Sequence, residues 1–185
     1  LDLIDSVNFS EFSVVGIKDM KRTCFSLLSL LALALVSGCV SEARLSDFQK
    51  TSNGIDFDAL AKRDYDSKSA VWTEKGGYEY YIEAQNVSEN DLVNGIIEAL
   101  KELHYVIKSS NTGDDTIIAR RGFEVNEWAS VAGIYYHSKG DRYQIYIQNK
   151  ITQDFTGGWR DNRAKKIANA ICAKLNGCVD LHAGK

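Results

Sequence analysis

The densest concentration of chemistry in this 185-residue chain is Trp159-Arg160-Asp161-Asn162-Arg163-Ala164-Lys165-Lys166. Guanidinium and ammonium groups beside an indole suit phosphate and carboxylate ligands, the guanidinium through paired hydrogen bonds and the ring through its face. Arg120 and Arg121 form a second cationic pair. Arg120, Arg121, Trp159, Arg160, Arg163, Lys165 and Lys166 are therefore the candidate anion or partner contact. The competing reading is a solvated helix start in which Asp161 neutralises its neighbours. Cations in a first helical turn oppose the helix dipole, which favours a use for them other than stability.

Other reactive residues carry weaker patterns. There is no Gly-x-Ser-x-Gly, no His-Glu-x-x-His and no phosphate-cradling glycine loop. His104 closes an apolar helical stripe and reads as a helix-end histidine near the core. His137 lies beside Ser138 and Asp141, but a hairpin tip is a poor place for an oriented, desolvated base. Glu124 and Glu127 flank Trp128 only as loop carboxylates, with nothing to fix their separation. No catalytic, cofactor-binding or metal-ligating residue is expected, and the chain does not read as an enzyme. Cys172 and Cys178, spaced Cys-x5-Cys, favour a disulfide. Free thiols are a second possibility, and a metal site is weak because His182 alone cannot complete a tetrahedron.

Composition narrows the class further. Hydrophobic residues make up 44% and charged residues 25%, so the chain is globular rather than disordered. A net charge of −3 and a pI near 5.6 argue against a dedicated nucleic-acid binder. Met20, the sole methionine, is followed by Lys21-Arg22, the apolar run Phe25 to Val36, and Val36-Ser37-Gly38-Cys39. A charged start, a short apolar middle and small residues before a cut are the parts of a secretory signal. The run is too short to span a bilayer stably.

This stretch resembles the signal and lipobox of bacterial lipoprotein precursors. The resemblance covers only the precursor segment. It implies cleavage before Cys39, a diacylglycerol thioether on the cysteine and usually a third, amide-linked acyl chain. The partner so implied is membrane lipid. Val40 in place of Asp after the cysteine implies the outer membrane, facing the periplasm. Translation is expected to start at Met20, with 1–19 an overextended reading frame and 20–38 the signal. Residues 39–54 read as a lipidated tether, because they are polar and small, and 55–185 as one periplasmic domain. In an oxidising compartment the disulfide reading of Cys172 and Cys178 gains weight. The cationic cluster would then face an envelope protein, peptidoglycan or anionic lipid.

The elements that must position these residues follow from periodicity. Tyr78, Tyr80, Ile82 and Ala84 alternate with polar neighbours as a strand. Ser88 caps a helix whose stripe is Leu92, Val93, Ile96, Ile97, Leu100 and Leu103. Tyr105 to Lys108, Thr116 to Arg121, Val131 to His137 and Tyr143 to Ile151 read as strands, the last two joined by a hairpin at Ser138-Lys139-Gly140-Asp141. A second helix is expected over about Arg160 to Leu175, stopped by Gly177. The order β-α-β-β-β-β-α predicts an α+β two-layer sandwich. An antiparallel sheet of four to five strands would be packed by two helices, helix-grip-like in arrangement. Tyr81, Tyr136 and Tyr146 are expected on the sheet face opposite the helices. The function expected is a non-catalytic binding or scaffolding module of the cell envelope; the alternative is an envelope hydrolase or an inhibitor of an external enzyme.

Overall fold

The computed structural model describes residues 43–65, 77–123, 129–151 and 162–179. The signal, Cys39, Trp159, Arg160, Glu124, Glu127 and Trp128 lie outside them. The chain divides into two units between Val40 and Ser41, and the described residues belong to the second. Their elements are α1 (Phe57–Ala61), β1 (Gly77–Gln85), α2 (Glu89–Glu102), β2 (Val106–Asn111), β3 (Thr116–Arg121), β4 (Ser130–Lys139), β5 (Arg142–Ile151), α3 (Arg163–Lys174) and β6 (Cys178–Val179). They form an α+β fold with one antiparallel six-stranded sheet in the order β2-β3-β4-β5-β1-β6.

Alternation of β-branched and aromatic residues sets the register, since a slip of one residue would turn every buried side chain outward. Tyr80, Ile147 and Ile134 stand in one cross-strand row, and Ile82, Ile145 and Tyr136 in the next on the same face. This face carries the long helices. Ser88 caps α2 by accepting from the Asp91 N–H at 3.2 Å, and Leu92, Ile96, Ala99 and Leu100 turn inward. Asn162 caps α3 in the same way through the Lys165 N–H at 2.9 Å, and Ala164, Ile167, Ala168 and Ile171 face the sheet. His104 is exposed and takes a left-handed backbone (φ 63) just past α2, so it ends the helix rather than joining the core.

The sixth strand was beyond the reach of periodicity, being two residues long. It is held by chemistry instead. Cys172 and Cys178 form a disulfide with a Cα separation of 5.0 Å. Gly177 (φ 87) reverses the chain between them, and its carbonyl accepts from the Gln85 N–H at 3.0 Å. Closing so short a loop stabilises by about 2 kcal/mol on the loop-entropy account.

The stretch expected to be a tether is packed from Ala43 onward. Residues 43–63 lie along the sheet face opposite α2 and α3, with Ala43, Phe48 and Phe57 buried, and the buried Tyr65 reaches Tyr80 at the edge of β1. Phe48 rests on Gly133: a Cβ there would stand 2.5 Å from the Phe48 ring, so only glycine admits it. The Ser52 N–H donates to the Asp114 carbonyl at 2.9 Å, and the Phe57 ring stacks on His137 at 5.6 Å. Tyr81 and Tyr146 stand on this face as expected. Tyr136 does not: it pairs with Ile145 on the helix side, and Tyr135 takes its place opposite Tyr146, at 6.1 Å between ring centroids. No helix among the described residues is long and apolar enough to cross a membrane.

Because Phe48 is 5% exposed, Phe48→Ala should cost about 3 kcal/mol of stability. Urea unfolding measures this; a shift within half of one kcal/mol would return the segment to a tether. Burial pushes the Tyr65, Tyr135 and Tyr136 hydroxyls up to about 12. The stability linked to them is fully present below about pH 10, the ordinary tyrosine value, and is lost as pH rises toward 12. Tyrosinate absorbance should therefore rise together with loss of the far-ultraviolet signal. Titration near pH 10 with the fold intact would contradict the burial.

Candidate functional site

Neighbouring residues of a strand point to opposite faces, and that alternation divides the cationic candidates. Arg121 lies across from Ser130 on the helix side, whereas Arg120 lies across from Val131 on the other. The first residue of α3, Arg163, reaches the same place as Arg121: its Nη1 is 3.4 Å from Ser130 Oγ. Lys165 turns along the sheet, its Nζ 5.5 Å over the Tyr80 ring. Lys166 is exposed in the first turn of α3.

A buried polar cluster ties Arg163 to this end of the sheet. Ser130 and Asn149 are fully buried, Tyr105 is 4% exposed and Arg163 8%. The Tyr105 and Ser130 hydroxyls are 2.8 Å apart, and Asn149 Nδ2 donates to Tyr105 Oη at 2.9 Å. Tyr105 follows α2, Ser130 opens β4, Asn149 is near the close of β5 and Arg163 opens α3. One hydrogen-bonded knot thus fixes four elements, and it makes Arg163 a structural cation first.

Pattern reading missed two further cations at this end. Lys150 shares a cross-strand row with Val131, Arg120, Val106 and Gly77. Its Nζ donates to the Asp47 carbonyl at 3.0 Å and lies 5.0 Å over the Phe48 ring. Arg44 is exposed immediately after Ala43, the segment's first described residue. The only sequence signal for them was their charge, because the segment carrying Arg44 has no period.

The far half of the strap-covered face holds a second constellation. Tyr81 Oη donates to Glu83 Oε1 at 2.8 Å, and Arg142 Nη1 reaches Glu83 Oε2 at 3.1 Å. Asp58 pairs with Lys139 and accepts from Gln144 Nε2 at 3.2 Å. The Lys139 hydrogen bond holds the Asp58 carboxyl below the usual carboxylate range. Asp58, Glu83, Lys139, Arg142 and Gln144 line an open depression of about 510 Å³, but each carboxylate is already matched by a cation. His137 is exposed and stacked on Phe57, not aligned with a nucleophile. Among the described residues no three His, Cys, Asp or Glu converge on a metal position.

No family model matches the chain, and no curated protein matches it in sequence. The described geometry divides the cationic candidates between the two sheet faces and matches Asp58 and Glu83 with cations.

Ser130→Ala removes the oxygen shared by Tyr105 and Arg163. It should cost about 1 kcal/mol or somewhat more, since it strips a partner from buried donors. Urea unfolding with an unchanged slope is the check; an unaltered midpoint would show that the knot holds without Ser130.

Proposed function

We propose that the chain is the precursor of a lipid-anchored bacterial envelope protein, tethered through acylated Cys39 to the outer membrane and facing the periplasm. Its domain is read as a two-layer sandwich of the helix-grip kind, with a strap along the second sheet face. It works as a binding or scaffolding module rather than an enzyme, and membrane lipid is its first partner.

The observation that carries this reading is the registration of Met20-Lys21-Arg22, the apolar run Phe25 to Val36 and Val36-Ser37-Gly38-Cys39 within twenty residues. Each part does a separate job in export: the charge stays cytoplasmic, the short run inserts, and the small residues admit a peptidase. The Cys172–Cys178 disulfide suits the oxidising compartment to which such a signal leads. Near-neutral charge in the mature chain leaves attachment to the acyl chains, at ~0.8 kcal/mol per buried methylene.

Intact-mass measurement of protein from native membranes tests the reading. The expected mass is that of residues 39–185 plus acyl groups, and Cys39→Ser should abolish the modification. A soluble product that keeps residues before Cys39 would remove both anchor and localisation.

A further inference from the structure

We propose that the end of the sheet bearing Leu45, Val106 and Phe123 lies directly on the membrane, against anionic phospholipid head groups. The inference rests on Cys39 being the acylated N-terminus.

Chain length gives the first argument. Val40, Ser41 and Glu42 alone separate Cys39 from Ala43, which is 8% exposed and part of the core. Four residue steps span at most about 14 Å even when fully extended. A strap anchored so close to its lipid cannot hold the domain at a distance. The membrane-facing end must be the one where the strap begins.

That end is identified by its contacts. Asp47 accepts from Lys150, the penultimate residue of β5, and Phe48 lies beneath the same ammonium. Val106, the first residue of β2, shares the Lys150 row. Phe123 lies two residues past Arg121, where β3 ends. Leu45 is 42% exposed, Val106 59% and Phe123 67%, and these are the large exposed apolar residues among those described. All three belong to the end where the strap starts. Among the described residues the opposite end, with the Gly140-Asp141 turn, carries none.

Charge at this end is complementary to a phospholipid surface. Arg44, Arg120 and Lys150 stand there around a single described carboxylate, Asp47, which accepts from the Arg44 N–H at 2.9 Å. Apolar side chains interleaved with cations suit the boundary between acyl chains and head groups. A protein partner would need no such coincidence with the lipid attachment point. The Asp141 turn, nine residues before Lys150 at the other end of β5, stands roughly 30 Å away at ~3.3 Å per residue, so the two ends are separable by a depth probe.

The test uses the acylated mature protein in vesicles of phosphatidylethanolamine and phosphatidylglycerol containing a nitroxide-labelled lipid. One fluorophore is placed at a time through Val106→Cys, Phe123→Cys or Asp141→Cys, and mass and vesicle flotation are recorded for each. Quenching at positions 106 and 123 should exceed that at 141 several-fold, and the difference should shrink as salt rises. Flotation with equal quenching at all three positions overturns the docking surface while leaving the anchor intact. Shielding of 106 and 123 by a second copy, seen as crosslinking without quenching, overturns it as well. Failure to float, with no acyl mass on Cys39, overturns the anchor and the docking surface together.

Discussion

A phenylalanine ring lying on a glycine in the middle of the sheet fixes the character of this molecule. Phe48 on Gly133 seats a strap across a face that would otherwise present Tyr81, Tyr135 and Tyr146 to water. The same face carries Glu79 and Glu83, and the covered pocket tolerates them because cations meet them at its margins. Arg63 comes from the strap to Glu79, and Arg142 from the sheet to Glu83. Strap and face are thus complementary in shape and in charge. The central strands are thus covered on both faces, whereas β2 stays largely exposed and an open depression remains beside Asp58 and Glu83.

How much of this was legible depends on where periodicity exists. The strands from Thr116 to Ile151 and the helix after Ser88 were readable because burial on one face forces a repeat of two or of 3.6 residues. The strap was not readable. Its buried residues, Phe48, Phe57 and Tyr65, are nine and eight positions apart, and each is held by a separate docking site rather than by a regular face. Tyr136 was misplaced for a related reason: Tyr135 and Tyr136 are equally apolar, and only pairing with β5 decides which one faces the helices. The cationic candidates suffered from the same ambiguity. Arg120 and Arg121 are adjacent in sequence yet belong to opposite faces, and Arg163 proved to be a member of a buried knot. Trp159 and Arg160 lie outside the described residues. The proposed signal and lipobox, by contrast, rest on composition and order alone, and that reading calls on no tertiary contact.

The two edges are managed differently. β2 is an outer strand, and its pairing with β3 is broken by an irregularity between Ile107 and Ser109. Such a break, with Lys108, Ser109 and Ser110 exposed beside it, makes a poor template for an added strand. At the other side β1 has two guards. β6 pairs with it at Glu83 and Ala84, and Tyr65 of the strap packs on Tyr80 at 5.6 Å, lower on the same strand.

Those two guards are secured by unlike means, and the difference is instructive. β6 is too short to hold itself by ladder hydrogen bonds, so a covalent link and the left-handed Gly177 keep it against β1. The strap relies on aromatic burial and ion pairs spread over some twenty residues, which no single bond could replace. A disulfide constrains only what lies between its cysteines, whereas the strap would transmit position from the proposed point of lipid attachment to the whole sheet. Seating it by Phe48, Phe57 and Tyr65 distributes that load over β4, β1 and the hairpin. In the proposed lipoprotein, therefore, the residues that complete the core also set how far from its anchor the domain can stand.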